Sequence, residues 1–170
     1  MRPCTPLPQP EPVTLEGVSS VSSNVNAAKE IGLRLVRGSG LKLSVYTNAD
    51  YAAASNDRRS VSRVAVMRDT TIGWMSSTQK CVTTATCESD YVALCDASKE
   101  ALVMRAVLVF LQPDLSGMTL KVFENNAGTK AIADNPSSAS RSKHIDVKLN
   151  FIRGLIRAGE VSIVHVGTEE

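Results

Sequence analysis

"LKLSVYTNADYAA", Leu41 to Ala53, is the stretch on which the fold turns. From Leu41 to Tyr46 apolar and polar residues alternate with the period of two that a half-buried β-strand requires. At the end of that run an amide and a carboxylate, Asn48 and Asp50, stand two residues apart, a spacing that puts both on one side of an extended chain. A strand that ends in polar side chains of this kind asks for a site at its C-terminal end.

Downstream, "SVSRVAVM" and "TIGWMS" are two more β-rich runs, separated by polar stretches containing Asn56-Asp57 and Asp69-Thr70. That punctuation predicts an antiparallel three-stranded meander. Thr83 or Thr84 then caps a long helix running to about Leu111, with Leu94, Ala97, Ala101, Met104, Leu108 and Leu111 recurring at gaps of three and four. The stripe predicts a helix laid on the sheet, and Asp90, four residues before Leu94, falls on the same stripe. Such an acid either escapes to solvent at the rim or belongs to a metal site, and spacing does not choose between the two.

After Pro113 and Gly117, "MTLKVFE" reads as a fourth strand, "NNAGTKAIADNP" as a short helix stopped at Asn135-Pro136, and Ser142 to Ala158 as a last helix with Ile145, Leu149, Ile152 and Ile156 on one face. "EVSIVHV" closes as a fifth strand. The order predicts an α/β layer with helices packed on a five-stranded mixed sheet. Upstream, five of the seven prolines fall within Met1 to Pro12 and a Ser, Val and Asn mixture follows, so residues 1–30 are expected to be a disordered tail and residues 31–170 the folded domain.

A chain of 170 residues is long enough for one well-buried core. Aromatics are scarce, at 4%, so the interior is expected to be aliphatic and rich in alanine, and a net charge of +2 does not by itself indicate nucleic acid or membrane. Cys4, Cys81, Cys87 and Cys95 show no Cys-x-x-Cys spacing, so a zinc site is poorly supported. Without a signal-peptide pattern or a membrane-spanning apolar run, free thiols in an intracellular setting are expected, cytoplasm and nucleus being left open.

With these elements in place, the ordered part strongly resembles a family, the ribonuclease H domain of copia-type retrotransposon polyproteins. "YTNADYA" is similar to the family's Tyr-x-Asp-Ala-Asp-Tyr-Ala, and "DRRSVS" to its Asp-Arg-Arg-Ser-x-Ser. "QKCVTTATCESDYVAL" matches a stretch ending Thr-Glu-Ala-Glu-Tyr-Val-Ala-Leu, "VFENNAGTKAIADNP" one built on Asp-Asn and Asn-Pro, and "SRSKHIDVKLNFIR" the distinctive Lys-His-Ile-Asp segment. The likeness runs from about Arg37 to Glu170 and leaves the tail unexplained.

The resemblance implies a ribonuclease H-like fold and a nuclease that degrades the RNA strand of an RNA–DNA hybrid during reverse transcription, alongside the reverse transcriptase and integrase of the same polyprotein. It implies two Mg2+ or Mn2+ ions held between acids, because a hard cation demands charged oxygen. Carried over by position, the first ligand Asp falls on Asn48, the helix Glu on Asp90 and the Asp ending the fourth strand on Asn125. The fourth acid has no counterpart before Glu170, so a copy shortened at its C-terminus is expected. Asp90 is then the one metal ligand left, with Asp50 or Glu124 as conceivable substitutes, and an impaired or inactive enzyme is expected.

The alternative is a non-catalytic module. Arg58, Arg59, Lys80, Arg141, Lys143 and Lys148, with Arg153 and Arg157, can follow a nucleic-acid backbone without sequence preference, or the proline-rich tail can serve a protein partner. Two further departures from the family are Arg63, where it commonly has Gly, which is expected to disturb the second strand, and Asn150, where it has His.

Overall fold

The computed structural model describes residues 15–33, 42–54, 57–68, 70–135 and 143–167. The chain divides into two compact units, Met1–Arg34 and Leu35–Glu170. In the first, a helix α1 spans Leu15–Ala27. This corrects the expectation of a wholly unstructured tail. Leu15, Val18, Val21 and Val25 carry a helical spacing that the many intervening serines and asparagines mask in composition. Val18, Val21 and Val25 are exposed.

In the second unit the strands are β1 (Ser44–Asp50), β2 (Val61–Arg68), β3 (Thr70–Thr78), β4 (Leu120–Glu124) and β5 (Val161–His165). The helices are α2 (Thr86–Leu111), α3 (Ala127–Asp134) and α4 (Lys143–Arg157), with a 3-10 turn at Pro113–Leu115. The strands form one sheet in the order β3-β2-β1-β4-β5. β1, β2 and β3 pair antiparallel as a meander. β4 lies parallel to β1, and β5 parallel to β4. Each parallel pair is bridged by helices, as parallel pairing requires.

The core lies on one face of the sheet. Val45, Val64, Val66, Leu120, Val122, Val161 and Ile163 meet Tyr91, Leu94, Ala97 and Ala101 of α2 and Ile145, Leu149 and Ile152 of α4. The predicted stripe on α2 holds through Ala101, Met104 and Leu108 are half-buried, and Leu111 is exposed. The last turns of the helix run past what the sheet can cover, so the period continues where the burial has stopped.

Polar pins fix the layers. The buried Gln79 donates through Nε2 to Ser62 Oγ (3.0 Å) and to Ser89 O (2.8 Å), joining β2 to the start of α2. Ser60 Oγ bonds Thr83 Oγ1 (3.2 Å) and accepts the Ala52 N–H (3.1 Å). Residue 85, not a threonine, is the N-cap of α2; Thr84 is drawn in instead by the Glu88 carboxylate, which accepts both its N–H (2.9 Å) and its hydroxyl (2.8 Å). Arg63 does not disturb β2, which pairs regularly around it, because its side chain stands on the exposed face.

Candidate active-site pocket

A solvent-open pocket sits where the C-terminal ends of β1 and β4 meet the first turns of α2 and α3. It is lined by Asn48, Ala49, Thr86, Asp90, Asn125, Asn126, Ala127 and His165. Three residues singled out from sequence, Asn48, Asp90 and Asn125, are thus brought together from β1, α2 and the turn that follows β4. β1 runs on to Asp50, so Asn48 is inside the strand rather than beyond it.

Asp90 is buried, and both of its oxygens are engaged. Oδ1 accepts the Ala49 N–H at 3.0 Å, and Oδ2 accepts Asn126 Nδ2–H at 2.8 Å. Burial pushes its carboxyl above the ordinary range, against the lowering effect of those two bonds. Asn126 is the hub of the site. Its Oδ1 caps α3 by accepting the N–H of Gly128 (2.9 Å) and Thr129 (3.3 Å), and also takes the Cys87 thiol at 3.6 Å.

Behind the pocket, Glu124 is fully buried. Its Oε1 accepts the Asn126 N–H at 3.0 Å, whereas Oε2 has no hydrogen-bond partner. Burial, reinforced by the charge of nearby Asp90, pushes this carboxyl up to about 8 although the N–H groups of Asn126 and Asn125 pull it down. Glu124 faces the core and Asn125 faces solvent, the alternation expected of neighbours on a strand. Asp50 shares the exposed side of β1 with Asn48 but does not line the pocket; Arg63 holds its carboxylate at 3.0 Å.

The residues present do not fit a pair of divalent ions. Asn48, Asp90 and Asn125, the positions the sequence resemblance marks, supply one carboxylate among them, and that carboxylate already accepts two protein N–H bonds, while amide oxygens offer only a dipole. Among the described residues no group of three His, Cys, Asp or Glu side chains is placed to hold a metal ion. Sequence reasoning missed the part played by Asn126, although an Asn just before a short helix is a capping signal. It also missed His165, whose Nε2 lies 3.0 Å from Asn125 O.

The basic residues do not form one group. Arg59 pairs with Asp57 (3.0 Å), and Lys148 reaches Asp96 (3.7 Å). Arg153 is buried, with its guanidinium on Ile132 O and Asn135 O at the C-terminal end of α3, which corrects its reading as a backbone contact. Arg58, Lys80 and Arg157 are exposed. Arg141 lies outside the described residues, and so does the side chain of Lys143.

No family model matches the chain. The retrovirus-related Pol polyprotein of transposon RE2 from Arabidopsis thaliana is 31% identical over 140 residues, 82% of this chain and 10% of the polyprotein. That of transposon TNT 1-94 from Nicotiana tabacum is 28% identical over 134 residues, 78% of this chain and 10% of the polyprotein. Among solved structures, LC11-RNase H1 in complex with an RNA/DNA hybrid superposes with a TM-score of 0.51 at 19% identity, covering 75% of this chain and 87% of that one. RNase H1 of Halobacterium salinarum gives 0.52 at 14% identity, with 75% and 87% covered.

The second unit therefore has the ribonuclease H fold. The chain is homologous to a segment of the retrovirus-related Pol polyproteins of transposons and spans about a tenth of the length of the relatives it matches.

Proposed function

We propose that this chain is an RNA–DNA hybrid ribonuclease by descent whose catalytic centre is impaired. One observation carries the reading: Asn48, Asp90 and Asn125 converge on one pocket, and the single carboxylate among them is already bonded by Ala49 and Asn126. Two-metal cleavage needs ions that activate the water and stabilise the leaving oxygen, and the negative charge that holds them is reduced here to one side chain. Asp50 does not restore it, because it lies outside the pocket in an ion pair with Arg63. Glu124 does not restore it either, because its carboxyl is sealed in the core. An intracellular setting belongs to the same reading and is supported by the unpaired thiols of Cys81, Cys87 and Cys95.

The test is cleavage of an end-labelled RNA–DNA hybrid in Mg2+ and in Mn2+, beside a variant carrying Asn48→Asp, Asp90→Glu and Asn125→Asp. The natural chain is expected to be silent, and the triple variant to bind metal where the natural chain does not. Cutting by the natural chain above a mock-purified control overturns the proposal.

A further inference from the structure

Every polar atom of Asn126 is engaged. Its backbone N–H goes to Glu124 Oε1 (3.0 Å), and its backbone oxygen accepts the Lys130 N–H (3.1 Å). In the side chain, Oδ1 accepts the N–H groups of Gly128 (2.9 Å) and Thr129 (3.3 Å) and the Cys87 thiol (3.6 Å), while Nδ2 donates to Asp90 Oδ2 (2.8 Å). The orientation of the amide is therefore forced. Turned over, it would set an NH2 group against two backbone N–H groups of α3 and an oxygen against a carboxylate, so the cap and the bond to Asp90 would be lost together.

Asp90 is closed from its other side as well. The pairing of β1 with β4 ends at Thr47 and Glu124, so the Ala49 N–H lies beyond that ladder and goes to Asp90 Oδ1 at 3.0 Å. The contact with Asn126 has the dimensions of a metal site but the opposite sign. Neighbouring ligands in an octahedron of radius about 2.0–2.1 Å stand about 2.8–3.0 Å apart, which is the spacing of two oxygens on one Mg2+. Nδ2 lies 2.8 Å from Asp90 Oδ2, yet it presents hydrogens where a ligand presents a lone pair.

We propose that Asn126 is a built-in stand-in for a cation at Asp90. Its amide meets the carboxylate with a partial positive charge, and because the same amide caps α3 it cannot swing aside to admit an ion without uncapping that helix. This corner of the sheet is thereby held together without metal and closed to it. The inference rests on the reading of the pocket as an impaired cation site, and it adds a cause that Asn48 and Asn125 do not supply. Restoring their two charges alone leaves Asp90 bonded. All the contacts involved lie within the second unit.

The test uses the full chain with Asp90 kept, since a glutamate there would carry the carboxylate past Asn126, and Mn2+ as the probe, its free concentration read by electron paramagnetic resonance. Asn126→Asp keeps an oxygen for Gly128 and Thr129 and turns a carboxylate oxygen toward Asp90. It is expected to bind Mn2+ saturably and about tenfold or more tighter than the natural chain, the scale on which the partner of a ligand carboxylate moves metal affinity. Asn126→Ser also keeps a capping oxygen but is too short to hold Asp90 at the same time. In a chain carrying Asn48→Asp and Asn125→Asp, it is expected to strengthen Mn2+ binding by a similar factor. Thermal melting in chelator confirms that each variant folds. The proposal is overturned if folded Asn126→Asp binds Mn2+ no better than the natural chain, or if Asn126→Ser leaves the affinity of the doubly substituted chain unchanged. Tight Mn2+ binding by the natural chain would sink the impaired-centre reading as well, so the two failures are told apart by which chain binds.

Discussion

Glu124 shows what one carboxyl costs when it faces the core. Its Oε2 is buried without a partner, and its folded-state carboxyl is raised from 4.5 to about 8. A carboxyl raised in this way adds stability that is complete below the unfolded value and lost as pH climbs through the folded one. The protein should therefore lose stability between about pH 4.5 and pH 8 on account of this group. Glu124→Gln keeps an oxygen for the Asn126 N–H and carries no charge. It is expected to match the parent at pH 5 and to exceed it at pH 9 by something on the order of 2–4 kcal/mol. Urea denaturation at the two pH values checks this, and parallel losses in both proteins would sink it. Asn126 works in the opposite sense, because it satisfies Asp90 and caps α3 together. Asn126→Ala should cost about 2 kcal/mol or more, beyond the ~1 kcal/mol of a lost cap alone, and Asn126→Asp should recover the cap while placing a second charge against Asp90. Comparing the denaturation midpoints of the two variants separates these roles.

At the scale of elements, α3 is held at both ends by contacts that its own length cannot supply. At its start, a Cβ on Gly128 would come within 2.8 Å of Cys87 Sγ and 3.1 Å of Asn126 Oδ1, so glycine is what lets α3 sit against α2. Gly128→Ala should destabilise by about 1 kcal/mol despite alanine's better helix propensity, and Cys87→Ala in the same chain should return most of the loss. A double-mutant cycle measures that coupling, and simple additivity would disprove the packing account. At its end, Arg153 of α4 bonds Ile132 O and Asn135 O. Arg153→Lys should fail to rescue the loss of Arg153→Ala, about 2–4 kcal/mol, because an ammonium lacks the planar fork that reaches two carbonyls at once. Chemical denaturation of both variants decides it. None of this was legible in the sequence, where Arg153 read as a surface cation and Gly128 as part of a generic short helix. The strands and the apolar face of α4 were legible, because each element repeats its period against a single layer. On α2 the period outlasts the sheet, so Leu111 read as core although it is exposed.

For the whole molecule, the order of elements already implied a mixed sheet with helices on it, and the motifs around Asn48, Asp90 and Asn125 implied one site. Those positions are far apart in sequence, yet Asn48 lies near the C-terminal end of β1, Asn125 just after the adjacent parallel β4 and Asp90 in the early turns of α2, so the topology brings them to the same end of the sheet. What sequence could not disclose is the state of Asp90, because hydrogen bonds from Ala49 and Asn126 depend on the third dimension. The same assembly makes foldedness separable from activity. Carboxylates crowded at Asn48, Asp90 and Asn125 would repel one another without metal, and the two amides remove that repulsion. The natural chain should accordingly melt at the same temperature in chelator and in millimolar Mg2+. The variant with Asn48→Asp, Asp90→Glu and Asn125→Asp should melt lower in chelator and recover on adding Mg2+. Saturation at a hundred times the dissociation constant contributes about 2.7 kcal/mol. For a domain of this size that corresponds to a rise of about 5–10 °C. Differential scanning fluorimetry with and without Mg2+ reads both proteins directly. An equal rise in the natural chain would show that Asp90 and its neighbours hold a divalent ion after all, whereas a rise confined to the triple variant ties the loss of metal to the two amides and the shortened acid.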